Sequence, residues 1–221
     1  MKTFKPILFS TPMVGALLYD RKNQTRRLVR GIQSDDDVFQ TIMTKRRLWD
    51  STIETVPGPL ETNAVFINKN GEEYKIKSKY QVGDILWVRE TWAELRNGHN
   101  EVFNEYKANG VSNNSDNGTW NWMPSIFMPK GAARLFLEVT SVRVERLRDI
   151  FHVDARNEGI SFIEGKTKRL YHNYLTLDYG CNELFSFMTL WQSIHGIDSW
   201  EQNPYVWVYN FKKIDKPNNF C

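Results

Sequence analysis

The feature that most limits the fold is a succession of short apolar runs, each closed by a turn signal. Pro6–Phe9, Thr25–Val29, Ile85–Trp92, Val102–Ala108, Arg134–Val139, Val142–Leu147 and Tyr205–Tyr209 are each the length of a single strand. Asn68-Lys69-Asn70-Gly71, between Val65–Ile67 and Tyr74–Ile76, is a hairpin signal. The turn Val82-Gly83-Asp84 followed by Ile85–Trp92 is typical of small β-barrels. Regular strand–helix–strand alternation and a glycine-rich phosphate loop are both missing, so the pattern does not suggest a doubly wound sheet.

Helix signals are fewer. Ser10-Thr11-Pro12 starts a two-turn helix that ends at Tyr19-Asp20. Ser34–Asp37 would cap a helix carrying Val38, Phe39, Ile42 and Met43, and Pro57-Gly58-Pro59 reads as an irregular linker. Asp149–Gly159 is a short helix stopped by glycine. Asn182 and Glu183 start a longer one with Leu184, Phe187, Met188, Trp191 and Ile194 on one face, stopped at Gly196. The expected fold is α+β: a partly closed β-barrel with flanking helices. It forms one domain over residues 1–214, with an insertion at about 31–77 and a flexible tail at 215–221.

Composition narrows the function classes. Hydrophobic residues make up 41% of the 221 and charged residues 25%, enough for a core and too ordered for a disordered chain. The net charge of +3 permits an anionic partner without requiring one. Two cysteines, one of them terminal, give no disulfide framework, and no apolar run reaches membrane-spanning length. With no apolar signal core at the N-terminus, a cytoplasmic protein away from membranes is expected. The four histidines share no metal-ligand spacing, so neither metal nor cofactor is expected.

Chemistry concentrates at Arg21-Lys22-Asn23-Gln24-Thr25-Arg26-Arg27. Lys22 and Thr25 are spaced to share one face of a turn, and a lysine of depressed pKa can take a proton from a threonine hydroxyl. Arg21, Arg26 and Arg27 would supply the cationic neighbours. The plainer reading is a solvated basic loop with an ordinary turn pair. Glu158 stands at a helix C-terminus, against the dipole, either for a functional duty or as a surface partner of Arg156. Arg89, Glu90 and Trp92 alternate at a strand end, and Trp122, Lys130 and Arg134 could line the same groove, with aromatics for stacking and cations for phosphates. Core packing suits Trp87, Trp191 and Trp207 better than Trp92 or Trp122.

In order and spacing, Arg21-Lys22…Gln24-Thr25-Arg26-Arg27, Gly83-Asp84…Trp87-Val88-Arg89-Glu90-Thr91-Trp92 and Asp154-Ala155…Glu158-Gly159-Ile160 resemble the ASCH domain, a relative of PUA domains. Trp122-Met123-Pro124…Met128-Pro129 and the Trp191–Trp207 segment resemble the longer phage- and prophage-encoded members. The resemblance implies a PUA-like barrel with a cleft for RNA or a modified nucleoside. Related amidohydrolases deacetylate N4-acetylcytidine, and their roles would fall on Lys22 as base, Thr25 as nucleophile and Glu158 as proton shuttle. Arg26, Arg27, Arg89, Glu90, Trp92, Trp122, Lys130 and Arg134 would bind substrate. The chain departs from those amidohydrolases in its insertion and its Trp-Pro loop. It departs from the phage group at Phe127 and at Gly131-Ala132-Ala133. A non-catalytic RNA-binding module, or a phage accessory protein that contacts another protein through residues 31–77, are the alternative functions.

Overall fold

The computed structural model describes residues 3–32, 37–48, 57–97, 99–110, 114–115, 118–119 and 121–220. Of 41–48, 57–61, 114–115 and 118–119 the backbone alone is described. The strands are β1 (Phe4–Leu8), β2 (Gln24–Leu28), β3 (Val38–Leu48), β4 (Pro57–Ile67), β5 (Glu73–Lys77), β6 (Ile85–Arg89), β7 (Trp92–Arg96), β8 (Val102–Tyr106), β9 (Asn114–Ser115), β10 (Gly118–Thr119), β11 (Phe136–Arg146), β12 (Phe162–Glu164), β13 (Arg169–His172), β14 (Tyr179–Cys181) and β15 (Tyr205–Ile214). The helices are α1 (Thr11–Leu18), α2 (His152–Asn157) and α3 (Glu183–His195). Strands dominate and the helices are segregated, so the fold is α+β. No helix among the described residues is long and apolar enough to cross a membrane.

The main sheet runs β1-β6-β11-β15-β2, parallel between β1 and β6 and antiparallel elsewhere. Among the described residues no ladder joins its edges β1 and β2, so the sheet stays open there. One face carries a core of Ile7, Phe9, Leu86, Val88, Leu137, Trp207 and Tyr209. The other face carries two separate clusters. Phe4 packs against Ile85, Trp87, Phe136 and Phe220 at the β1–β6 end. Leu28 packs against Val206, Val208, Phe187 and Trp191 at the β2–β15 end. Alternation along each strand assigns neighbouring residues to opposite cores.

Several expectations are corrected. Val38–Leu48 is a strand, not a helix, and pairs with β4 along its length. β-branched Thr41, Ile42 and Thr44 suit that ladder. The Ser34–Asp36 part of the expected cap lies outside the described residues. Asp37 instead accepts the Tyr74 hydroxyl at 2.5 Å. Pro57-Gly58-Pro59 opens β4, where a strand start tolerates proline. Arg134–Val139 and Val142–Leu147 belong to one strand, β11, whose register slips between Val139 and Ser141. The run Ile85–Trp92 breaks at Glu90-Thr91, and Trp92 opens a ribbon with β8.

The β4–β5 hairpin turns at Asn68–Glu72, where Asn68 Oδ1 accepts the backbone N–H groups of Asn70 and Glu72. The β3–β4–β5 sheet is part of the main core, since Ala64 and Phe66 are buried in it with Tyr74 and Ile76 against them. Past β15 the chain folds back, and the Phe220 ring meets Phe136 at 4.7 Å and Phe4 at 5.1 Å between centroids.

Candidate functional site

Alternation along β2 puts Gln24, Arg26 and Leu28 on one face and Thr25 and Arg27 on the other. Arg26 enters a buried ionic network. Its Nη1 donates to Glu158 Oε1 at 3.1 Å and its Nε to Glu145 Oε1 at 3.0 Å, while Nη2 also meets Glu145 and reaches Asp154 Oδ2 at 3.5 Å. The register Arg26–Val208–Arg143 places a second guanidinium on the same face. Arg143 donates to Glu145 Oε2 at 3.1 Å, Asp154 Oδ2 at 3.4 Å and Asn210 Oδ1 at 2.9 Å. With its amide turned so that the nitrogen faces these acceptors, Gln24 donates to Asp154 Oδ1 at 3.0 Å and Asn210 Oδ1 at 3.2 Å.

Glu158 follows α2, and the left-handed Gly159 (φ +84°) turns the chain away behind it. A Cβ at 159 would fall 2.7 Å from Ala16 Cβ and 2.8 Å from Lys22 Cβ, so only glycine lets α2 come this close. Lys22 and Glu158 form a backbone bridge. Lys22 Nζ donates to Glu158 Oε2 at 3.0 Å and to the Glu158 carbonyl at 2.7 Å. Three cations, Lys22, Arg26 and Arg143, thus face three carboxylates, Glu145, Asp154 and Glu158. Such a network is tolerated in a core because its members satisfy one another. Burial pulls the Lys22 pKa below its ordinary value. Glu158 opposes that shift, and Arg27 and Arg26 add to it.

Thr25 is buried on the opposite face, paired with Tyr209. Among the described residues no hydrogen bond joins its hydroxyl to Lys22 or Glu158. Arg27 lies over the Phe9 ring, 5.4 Å from its centroid, and donates to the Leu8 carbonyl at 2.8 Å. Lys22 Nζ stands 5.4 Å from the same ring centroid. Of the expected catalytic set, Lys22 and Glu158 are brought together. Arg26 joins them through Glu158.

The remaining expected residues form a constellation of their own. Glu90 is 1% exposed and takes a bidentate fork from Arg134, both contacts at 2.9 Å. Arg134 also stacks 4.0 Å from the Tyr106 ring centroid. Lys130 lies over Phe220 and Phe4, and Arg89 over Trp87 while donating to the Ile126 carbonyl. Phe4 and Trp87 are on the sheet face away from Thr25 and Arg27. Trp122 is half-buried. Trp92, read as a stacking surface, is 5% exposed in the Trp87–Phe136 cluster, as buried as the tryptophans expected in the core.

The open side of the main sheet holds a cleft of about 380 Å³ between β1 and β2. Arg27, Arg30, Lys77 and Lys79 supply four cations to its lining, with His195, Tyr80, Trp207 and Tyr209, and among the described residues no carboxylate lines it. Burial, then Arg27 and Arg30, hold the Lys79 and His195 pKa values below their ordinary range. Across Arg27 and Leu8 lies a second, mostly apolar cavity of about 370 Å³, bounded by Pro12, Met13, Gly159, Leu190 and Ile194. Sequence reasoning found Arg27 and missed Arg30, Lys77, Lys79, Tyr80 and His195. The alternation Ile76-Lys77-Ser78-Lys79-Tyr80 was the available signal. A cleft so lined can hold an anion and exclude water from an apolar group beside it. No protein-family model, curated protein or solved structure matches the chain.

Proposed function

We propose that this chain is a PUA-like module of the ASCH type that holds RNA or a modified nucleoside in the cleft between β1 and β2. The observation that carries the reading is the lining: four cations, no carboxylate among the described residues, and three aromatic side chains beside them. Phosphates would meet Arg27, Arg30, Lys77 and Lys79, and the sugar and base would face the apolar cavity beyond Arg27. The Leu8 carbonyl and the Phe9 ring already hold Arg27, so little ordering is needed on binding. The approach of the two sheet edges, where Arg27 of β2 reaches the Leu8 carbonyl of β1 with no ladder between the strands among the described residues, supports the PUA-like part of the proposal.

The test is fluorescence-anisotropy binding of single-stranded RNA across a salt series. Each phosphate contact steepens the salt slope by roughly 0.7. Arg27→Ala and Lys79→Ala should weaken binding and flatten that slope, and Thr25→Ala should bind as wild type. Salt-independent binding, or an Arg27→Ala variant indistinguishable from wild type, sinks the reading.

One observation favours a second reading, amidohydrolysis of an N4-acylated cytidine: the Lys22 amine is 3.0 Å from Glu158 and burial lowers its pKa. In it the Thr25 hydroxyl attacks the acyl carbon as Lys22 takes its proton, that proton passes through Glu158 to the departing N4 amine as the C–N bond breaks, and water then hydrolyses the Thr25 acyl ester to release the acid. The Lys22 side chain is wholly buried, so substrate would have to open the α2 contact to reach it. Protein incubated with N4-acetylcytidine should release cytidine and Lys22→Ala should not; no release by wild type across a panel of acylated nucleosides removes this reading.

A further inference from the structure

A third cavity, of about 240 Å³, lies where the loop after α1, the end of α2 and β13 meet. Three guanidinium groups, from Arg21, Arg156 and Arg169, line it together with Asn157, Phe162 and Tyr171, and among the described residues no carboxylate is in the lining. Each guanidinium already has a partner that orients it. Arg21 Nη1 donates to the carbonyls of Gly159 at 3.4 Å and Ile160 at 3.2 Å. Arg156 donates to Glu183 at 3.1 Å. Arg169 lies over the Phe162 ring, 4.3 Å from its centroid, and donates to Glu164 at 3.0 Å. A guanidinium has five N–H donors, so each retains donors to offer forward. Convergent planar forks are the usual protein answer to a phosphate.

This cavity continues the path of the cleft. Arg27 and Leu8 are common to the cationic cleft and the apolar cavity. Gly159 bounds the apolar cavity, and the next residue, Ile160, bounds the arginine-lined one. Arg21 bonds to the carbonyls of both, so its guanidinium stands at the junction. The order along the surface is therefore cations, apolar slot, cations. A single nucleic-acid strand presents the matching order of phosphate, base and phosphate.

We propose that Arg21, Arg156 and Arg169 bind a second phosphate of the RNA strand whose other phosphates lie in the cleft, so that the ligand is an oligonucleotide and not a free nucleoside. This rests on the RNA reading above. The glutamates bonded to Arg156 and Arg169 orient their guanidinium groups and moderate the local charge, which keeps the site selective for a strand already anchored at Arg27.

The test compares two probes, uridine monophosphate and an oligouridine of roughly a dozen nucleotides, a length within the span that single-strand modules cover. Wild type should hold the oligomer much more tightly than the monophosphate. The Arg21→Ala/Arg169→Ala protein should lose oligomer affinity roughly tenfold and lower the salt slope by roughly 0.7, the contribution of one single-strand phosphate. Its affinity for the monophosphate should be unchanged, whereas Arg27→Ala should weaken both. The single variant Arg169→Gln, at an exposed position, gives the same comparison should the double variant fold poorly. A double variant, or Arg169→Gln in its place, with wild-type oligomer affinity and slope overturns this proposal and leaves the cleft standing, provided Arg27→Ala still weakens binding. Wild-type protein that holds neither probe overturns both.

Discussion

Glu158→Gln is the sharpest probe of the buried ionic network. It keeps the side chain's shape and removes its charge. Glu158 Oε2 receives Lys22 Nζ at 3.0 Å, and no part of the Lys22 side chain reaches solvent. The variant leaves the ammonium with one backbone carbonyl at 2.7 Å and at best a neutral amide oxygen, without a counter-charge of its own and with two guanidinium groups nearby. Removing one partner of a buried pair costs about 3–5 kcal/mol, and the surviving carbonyl contact argues for the lower end. For a chain of this size about 3 kcal/mol corresponds to a fall in Tm of roughly 6–12 °C. The sign of the pH dependence follows from Lys22. Burial already holds its pKa below the ordinary 10.5, and Glu158 is the main group raising it. Without Glu158 the folded form releases the Lys22 proton at a lower pH still, while the unfolded chain keeps its proton up to about 10.5. Folding of the variant therefore gains relative to wild type as pH rises through that window. Thermal melts of both proteins followed by circular dichroism should show the widest gap near neutral pH and a narrowing gap toward alkaline pH. Equal midpoints at neutral pH, or a gap that holds or widens with pH, would refute the reasoning.

Gly159→Ala should destabilise by about 1–3 kcal/mol in urea titration, because the residue has φ +84° and an added Cβ meets Ala16 and Lys22. Phe220→Ala should cost about 3 kcal/mol by the same measurement, since this ring is 6% exposed and fills the cluster around Phe136. If the cleft holds a phosphate, the anion favours protonated His195, whose pKa is lowered by burial and two arginines. RNA affinity should then rise as pH falls below about neutral, and His195→Gln should abolish that rise in anisotropy titrations.

Local chemistry was legible where one segment carries its own signal. The Pro12 start and Asp20 end of α1, the Asn68–Gly71 turn, and the Asn182 cap of α3, whose Oδ1 accepts Phe185 N–H at 2.9 Å, were all readable in the sequence. Val38–Leu48 was misread because an acidic cap signature outweighed its β-branched residues, and a strand of that length is decided by its partner. The Lys22–Glu158 pairing came from the resemblance, since no spacing rule connects positions 136 residues apart. The cleft was the least legible part. Arg27 and Arg30 come from one segment, Lys77 and Lys79 from another and His195 from a third, and none of these segments reads as a site alone. Trp92 was misjudged because a strand end beside an arginine resembles a stacking platform until the β7–β8 ribbon and Met128 are seen to cover it.

The order of strands in the main sheet bears on how the protein is made. β2 lies beside β15, with Thr25 opposite Tyr209, and β15 also fills the gap between β2 and β11. The ribosome therefore delivers β2 long before its hydrogen-bonding neighbour β15 exists. Until then a nascent chain carries a bare strand edge and half a core, a state that invites chaperone capture or clumping. Slowing synthesis would prolong that exposed interval, and the emergence of β15 is what ends it.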